Sequence, residues 1–177
     1  MNKPILYSDF DGVIYDTIAV AFKMMEEANI DINDRKARDK FFRYIIDYAK
    51  LYRNSTIIND AVNKLMNIKE SNIFSDVIIL TKLSGNYYEE GIKRSFLQTV
   101  LPEIKVITMQ YDLNKATVVI PDGHILIDDE KRNCRQWNDA NGVAILFRKE
   151  ISDLQNNIIN DLDDLVNTES VKRLIKR

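Results

Sequence analysis

The sequence predicts an α/β fold with three layers, in which helices cover both faces of a parallel sheet and a small helical insertion follows the first strand. Five short runs of apolar residues, rich in β-branched types, alternate with polar or helix-patterned stretches. Continuous apolar runs of this kind are typical of strands buried on both faces of a parallel sheet. In addition, residues 13–84 contain no glycine or proline, which predicts helices between the first and second strands.

The predicted strands lie at residues 4–8, 77–80, 104–107, 125–127 and 143–147. After the fifth strand, apolar residues recur at helical spacing within residues 152–177, which predicts one or two amphipathic helices packed on the core. The residues that carry this pattern are Leu154, Ile158, Leu162, Leu165, Val171, Leu174 and Ile175.

The insertion after the first strand, which we define as residues 16–73, also shows apolar residues at helical spacing. We expect three helices in it, because three positions carry suitable N-cap residues: Thr17, Asn33 or Asp34, and Ser55 or Thr56. The insertion is therefore predicted to form a helical cap, and residues 1–15 and 74–177 are predicted to form the core domain.

Composition excludes several classes of function. The chain is 45% hydrophobic, and no run approaches the roughly 18 apolar residues of a membrane span. Because no basic and then apolar leader opens the chain, we expect a cytoplasmic protein. A net charge of -2 does not favour nucleic-acid binding. Because Cys134 is the only cysteine, the sequence excludes an internal disulfide and a multi-cysteine zinc site. Because His124 is the only histidine, it also excludes a site with two histidine ligands. Catalysis would therefore depend on carboxylates, hydroxyls and lysines.

Two carboxylates, Asp9 and Asp11, follow the first predicted strand, and Gly12 comes directly after them. Carboxylates at the end of a buried strand are costly unless a cation or hydrogen bonds compensate them, and ligands bind at the carboxyl edge of parallel sheets. The first carboxylate is a candidate to attack phosphorus, and Gly12 allows a tight turn beside it. The alternative is that both acids are solvated turn residues.

Further polar residues follow two other predicted strands. Asp128 and Asp129 come directly after the fourth strand, and Thr81 follows the second. Three or four carboxylates would then meet at one edge of the sheet, and an oxygen-rich site without histidine is the environment that Mg²⁺ prefers. The Thr81 hydroxyl could bind a phosphate oxygen, although threonine is also a common residue at strand ends.

Four motifs occur in order along the chain: D-F-D-G-V-I at 9–14, I-I-L-T at 78–81, a lysine at 115 and I-L-I-D-D at 125–129. They resemble the four motifs of the haloacid dehalogenase-like (HAD) hydrolase superfamily. The resemblance covers residues 4–147 and implies a Rossmann-like, three-layer parallel sheet with a small helical cap inserted after the first strand. Within the superfamily, the chain from Lys115 to Phe147 looks most like the 5'(3')-deoxyribonucleotidase branch.

The resemblance implies a role for each motif residue. Asp9 would be the nucleophile that forms an aspartyl-phosphate, and Asp11 would protonate the leaving oxygen and then activate water. Thr81 and Lys115 would bind the phosphoryl oxygens. We favour Lys115 over Lys105, because Lys105 lies inside the third predicted strand.

The same resemblance implies Mg²⁺ as the cofactor. Its ligands would be acidic residues at the sheet edge, with Asp11 contributing its backbone carbonyl and the others their carboxylates, directly or through water. These residues are Asp9, Asp11, Asp128 and Asp129. The sequence departs from the nucleotidase pattern after Thr81, where Lys82 and Leu83 replace the expected small or polar residues.

We therefore expect a Mg²⁺-dependent phosphomonoester hydrolase that acts on a nucleoside monophosphate or another small phosphorylated metabolite. A small cap favours a small soluble substrate over a macromolecule. Two alternatives share this fold, a phosphotransferase and a polynucleotide-end phosphatase. A third alternative is a catalytically idle HAD-like protein with a binding or regulatory role.

Overall fold

The computed structural model describes residues 3–150 and 157–176. In this part of the chain, parallel strands form a single sheet: β1 (Ile5–Ser8), β2 (Asp76–Leu83), β3 (Lys105–Gln110), β4 (Ile125–Asp128), β5 (Val143–Phe147) and β6 (Ile158–Ile159). Their order across the sheet is β3-β2-β1-β4-β5-β6. All five predicted strands are present, which confirms the predicted α/β fold class.

Helices cover both faces of this sheet. They are α1 (Thr17–Glu27), α2 (Arg35–Tyr44), α3 (Tyr48–Asn54), α4 (Ala61–Glu70), α5 (Glu89–Val100), α6 (Lys115–Val118), α7 (Lys131–Asp139), a 3₁₀ helix (Leu162–Asn167) and α8 (Glu169–Ile175). One buried apolar cluster lies on each face of the sheet. No helix of the described residues is long and apolar enough to cross a membrane.

Strand β1 lies at the centre of the sheet and pairs with two partners that are distant in sequence. Leu6 is in register with Val77 of β2 and with Ile125 of β4. At the first residue of β1, the backbone N–H of Ile5 donates to Nδ1 of His124, 119 residues away, at 3.1 Å. Because β1, β2 and β4 are parallel neighbours, their carboxyl ends meet at one edge of the sheet.

The insertion contains four helices, so the expectation of three was wrong. The pattern of apolar residues continues from α2 into α3, but Asp47 interrupts the helix between them. Its carboxylate accepts a hydrogen bond from the backbone N–H of Lys50 (3.0 Å) and starts a new helix. Helix α2 begins as predicted at Asp34, whose carboxylate accepts from the N–H groups of Lys36 and Ala37.

The other two predicted N-caps differ from the structure. Thr17 is the first residue of α1, and its hydroxyl donates to Asp11 and does not cap the helix. The prediction of a cap at Ser55 or Thr56 was wrong, because α4 begins at Ala61 after Asp60. Helix α4 packs against β2 and the 3₁₀ helix. The division of the chain into a cap and a core stays a prediction.

The chain after β5 is less helical than its spacing of apolar residues predicts. Ile158 lies in the short strand β6, in register with Leu146 of β5, so the assignment of Ile158 to a helix was wrong. The 3₁₀ helix buries Leu165, and α8 buries Val171 against the core. Leu154 lies outside the described residues.

Helix α7 is fixed to its face of the sheet by the single tryptophan. The indole of Trp137 is fully buried and packs edge-on against the ring of Tyr7, with 5.3 Å between the ring centroids. Its N–H donates a hydrogen bond to the carbonyl of His124 (3.2 Å). The same cluster buries Cys134, and burial raises the pKa of its thiol to about 12. The thiol is therefore protonated at neutral pH and unsuited to nucleophilic catalysis.

Candidate active site

Asp9 continues the line of β1 at the carboxyl edge of the sheet. Its backbone N–H donates to the carbonyl of Ile127 (2.8 Å), which extends the pairing with β4 by one residue. The side chain is almost fully buried, and Oδ1 accepts from the backbone N–H of Phe10 (2.8 Å). Oδ2 lies 3.0 Å from Nζ of Lys115. Burial raises the pKa of Asp9 to about 6, although the Lys115 ammonium acts to lower it.

Lys115 lies between two carboxylates. Asn114 caps α6 by accepting from the N–H of Ala116 (2.9 Å), and the next residue, Lys115, points into the protein. Its Nζ lies 3.0 Å from Oδ2 of Asp9 and 2.7 Å from Oδ2 of Asp128. Burial alone would lower the pKa of Lys115, but the two carboxylates outweigh it and raise the pKa. Lys115 is therefore a permanent cation between them.

The competing lysine, Lys105, lies elsewhere. It is the first residue of β3 and is exposed, in register with Ile78 near the beginning of β2. It is thus several residues away from Thr81, which lies in register with Thr108. Of the two lysines, the structure brings only Lys115 to the edge where Asp9 lies.

Both carboxylate oxygens of Asp128 have hydrogen-bond partners. Oδ1 accepts from the backbone N–H of Glu130 (2.8 Å), and Oδ2 accepts from Lys115 (2.7 Å). The Asn133 amide of α7 lies 3.0 Å from each oxygen. The carbonyl of that amide accepts from Nζ of Lys82 (2.9 Å). This network holds Asp128 in a fixed orientation.

Asp129 contrasts with its neighbour. Within residues 3–150 and 157–176, no hydrogen bond or ion pair to its carboxylate is found. Burial, together with the nearby Asp9 and Asp128 carboxylates, raises the pKa of Asp129 to about 7. A partly buried carboxylate without a partner is unfavourable as an anion, so Asp129 is the acid in this cluster that most requires an added cation.

The cluster can hold a metal ion. Asp9, Asp128 and Asp129 each offer a carboxylate oxygen, and these oxygens lie within 4.8 Å of one another. A donor set of oxygens alone suits a hard cation such as Mg²⁺. The carboxylate of Asp11 is not a member of this group, and the contribution of its backbone carbonyl to a metal site stays a prediction.

Asp11 and Thr81 lie together, beside the cluster of Asp9, Asp128 and Asp129. Oδ1 of Asp11 accepts from the hydroxyl of Thr17 (2.8 Å), and Oδ2 lies 3.3 Å from Oγ1 of Thr81. Lys93 from α5 donates to Oδ2 of Asp11 (2.7 Å) and to Oγ1 of Thr81 (3.1 Å). The six predicted site residues thus meet at one sheet edge, and their individual roles stay predictions.

Sequence reasoning missed two lysines of this site, Lys82 and Lys93. A signal for Lys93 was present, because Glu89, Lys93 and Leu97 recur at intervals of four and share the buried face of α5. A lysine on the apolar face of a helix is rare unless it is paired. For Lys82 the only signal was its position directly after Thr81.

A cavity of about 200 Å³ opens beside Asp11, between the insertion and the chain after β2. Its walls are mainly aromatic and aliphatic and include Phe42, Tyr48, Tyr52, Leu83 and Tyr111. The Tyr48 hydroxyl donates to Oγ of Ser84 (2.6 Å), which joins the insertion to the loop that follows β2. Burial raises the pKa of Tyr48 and of Tyr52, so both phenols remain neutral.

No protein-family model matches the chain, and no curated protein matches it. Solved structures do. The HAD-hydrolase YfnB from Bacillus subtilis, bound to magnesium, superposes with a TM-score of 0.62 at 14% identity, covering 94% of this chain and 98% of that one. A subfamily IA HAD-superfamily hydrolase from Geobacter sulfurreducens gives 0.59 at 12% identity, with 93% and 98% covered.

A third similar structure is β-phosphoglucomutase from Clostridium difficile, with a TM-score of 0.57 at 16% identity, covering 99% of this chain and 98% of that one. Similarity to the nucleotidase branch is not among these findings. At such identities, the superpositions establish the arrangement of the backbone and leave the chemistry to the residues of this chain. The six-stranded parallel sheet and these neighbours show that the chain has the fold of the HAD-superfamily hydrolases.

Proposed function

We propose that the protein is a phosphomonoester hydrolase that works through an aspartyl-phosphate on Asp9 and requires Mg²⁺. The observation that carries this proposal is the position of Lys115, which lies 3.0 Å from the Asp9 carboxylate and 2.7 Å from Asp128. A buried carboxylate is a nucleophile only when it is ionised, and an adjacent buried ammonium favours that form.

The reaction has two steps. In the first, an Asp9 carboxylate oxygen forms a bond to phosphorus while the bond between phosphorus and the leaving oxygen breaks, and Asp11 supplies a proton to that oxygen. In the second, the Asp11 carboxylate takes a proton from water, whose oxygen attacks phosphorus and releases Asp9 and inorganic phosphate. Lys115 and the Thr81 hydroxyl would stabilise the charge on the phosphoryl oxygens.

Three carboxylates would hold the metal, those of Asp9, Asp128 and Asp129. Asp129 is the best candidate for a direct ligand, because the Asp128 oxygens are already bonded to Lys115, Asn133 and the Glu130 N–H. When bound, Mg²⁺ would screen the repulsion between the carboxylate nucleophile and a phosphate dianion.

The cavity beside Asp11 supports a small organic leaving group. Asp11 is one of its polar walls, and most of the lining is aromatic or aliphatic. An apolar cavity with few polar groups suits a compact metabolite better than a polymer. A nucleoside monophosphate is the finer form of the proposal, and it rests on the sequence resemblance to the nucleotidase branch.

The first experiment measures hydrolysis of p-nitrophenyl phosphate with Mg²⁺ and with excess chelator. We expect activity only with Mg²⁺, and its loss in Asp9→Asn with circular dichroism unchanged. The matched control is Asp122→Asn, which removes the same charge at an exposed position and should retain full activity. Full activity in Asp9→Asn would show that Asp9 is not the nucleophile.

A substrate panel tests the finer proposal. Deoxynucleoside monophosphates should be hydrolysed with a higher kcat/KM than sugar phosphates of similar size. The opposite ranking would remove the nucleotidase assignment and leave the phosphatase proposal intact.

A further inference from the structure

Lys93 is a buried lysine that none of the four motifs includes. It lies in the middle of α5 with a side chain only 1% exposed. Its Nζ donates to Oδ2 of Asp11 (2.7 Å), to Oγ1 of Thr81 (3.1 Å) and to the backbone carbonyl of Lys82 (2.8 Å). An ammonium group has three N–H donors and no acceptor, so these three acceptors satisfy it completely.

The nearest alternative partner of Lys93 has another function. Glu89, one turn earlier in α5, lies 3.6 Å from Nζ. Its Oε2 accepts from both the N–H and the hydroxyl of Ser84, each at 2.6 Å, which fixes the loop after β2. The short ion pair of Lys93 is therefore the one with Asp11.

The two oxygens of Asp11 differ in the kind of group that contacts them. The closest contact of Oδ2 is the Lys93 ammonium (2.7 Å), which can only donate. The Thr81 hydroxyl is farther from Oδ2 (3.3 Å) and accepts a hydrogen bond from Lys93 (3.1 Å). Oδ1 faces the hydroxyl of Thr17 (2.8 Å), which can donate or, after rotation about its C–O bond, accept. A proton on Oδ2 would oppose the N–H of Lys93, whereas a proton on Oδ1 finds an acceptor. The geometry thus places any proton that Asp11 carries on Oδ1.

We propose that Lys93 is a positioning residue that holds Oδ2 of Asp11 and thereby presents Oδ1 as the oxygen that transfers the proton to the leaving group. The proposal rests on the proposed phosphatase function. Thr17, the partner of Oδ1, lines the cavity in which the leaving group would lie, whereas Lys93 and Thr81, the partners of Oδ2, are not among its lining residues. This difference favours Oδ1 as the oxygen on the side of the leaving group. Lys93 acts through Asp11 and has no contact with the substrate of its own.

The test compares aryl phosphates whose leaving groups differ in their need for a proton. Phenyl phosphate needs protonation of its leaving oxygen, whereas 2,4-dinitrophenyl phosphate does not. In Lys93→Met, we expect kcat/KM for phenyl phosphate to fall about 100-fold, within the usual range for general acid catalysis, and that for the dinitrophenyl ester to fall less than about 10-fold. Lys93→Arg, which also only donates, should recover part of the loss.

The control is Arg94→Met, which removes a positive charge from the next residue of the same helix. Arg94 is 46% exposed and pairs with Glu90 on the surface, so both substrates should retain their rates. An equal loss for both substrates in folded Lys93→Met, or no loss, would overturn the proposal.

Two further outcomes are distinguishable. If Lys93→Met does not fold, Thr17→Val removes the partner of Oδ1 and preserves side-chain shape, and it should also impair phenyl phosphate more than the dinitrophenyl ester. An equal effect there would overturn the proposal as well. If the wild-type protein hydrolysed neither ester with Mg²⁺, the proposed phosphatase function would be overturned, and with it the positioning role of Lys93.

Discussion

A Cβ atom on Gly12 would overlap the carboxylate of Asp129. The turn after β1 and the end of β4 therefore approach each other so closely that only glycine fits between them. Gly12 also has a positive φ of 76°, a conformation that residues with a side chain rarely adopt. One residue thus meets two requirements, a left-handed turn after Asp11 and space for the Asp129 carboxylate.

Gly12→Ala should displace Asp129 and strain the turn. We expect the free energy of unfolding to fall by about 1–3 kcal/mol and the stabilisation by Mg²⁺ to be largely lost. The measurement is thermal unfolding with and without Mg²⁺. The control is Gly91→Ala, because no atom lies within 4 Å of a Cβ built at this helical glycine. Gly91→Ala should stabilise the protein by up to about 1 kcal/mol and leave the stabilisation by Mg²⁺ unchanged. If the two variants changed stability and the response to Mg²⁺ equally, the prediction would be contradicted.

Stabilisation by Mg²⁺ should depend on pH. In the folded protein the pKa of Asp9 is about 6 and that of Asp129 about 7, both above the value of about 3.9 in an unfolded chain. The folded state therefore binds these protons more tightly, and without metal these two groups cost stability as pH rises from about 4 through 7.

Because a metal binds the ionised carboxylates, Mg²⁺ should raise the melting temperature more at pH 8 than at pH 5. At 100 times the dissociation constant, binding adds about 2.7 kcal/mol, which corresponds to about 5–10 °C for a domain of this size. Differential scanning fluorimetry over a Mg²⁺ titration at each pH measures this rise in melting temperature. The same shift at both pH values would show that the cluster of Asp9, Asp128 and Asp129 is not the binding site.

Lys115→Met should destabilise the protein more than any exposed substitution. It leaves Asp9 and Asp128 as buried carboxylates without their shared cation, a change that costs about 3–5 kcal/mol. The loss should be larger at pH 8 than at pH 5, because the pKa of Asp9 is raised to about 6 and its protonation at pH 5 relieves part of the uncompensated charge. Chemical denaturation at both pH values provides the measurement.

Lys105→Met provides the matched control, since Lys105 is an exposed lysine at the start of β3. Its effect should stay within about 0.5 kcal/mol. A Lys115→Met variant as stable as this control would mean that the carboxylates are protonated or neutralised by another group.

Much of the site could be predicted because the fold brings strand ends together. A run such as Ile125–Asp128, apolar until its last residue, defines both a strand and the place where its acid emerges. Since the strands are parallel, Asp9, Thr81 and Asp128 had to share an edge. These conclusions needed only the continuous apolar runs and the direction of the strands.

Other features depend on contacts that the sequence does not specify. Strand β6 has two residues, too few for a period, and Ile158 also fits the helical spacing of the chain around it. Helix α2 ends before Asp47 and α3 begins after it, and no glycine or proline in the sequence marks this break. The partner of Lys93 is Asp11, 82 residues away, and no local pattern identifies such a pair.

The central place of β1 determines when the site can exist. During synthesis Asp9 and Asp11 leave the ribosome before the other site residues, and the strand that completes their surroundings, β4, follows more than a hundred residues later. Until then β1 lacks its partner at Ile125, and its apolar edge is open to other chains. The site is therefore completed only after β4 has been synthesised, and aggregation competes with folding until then.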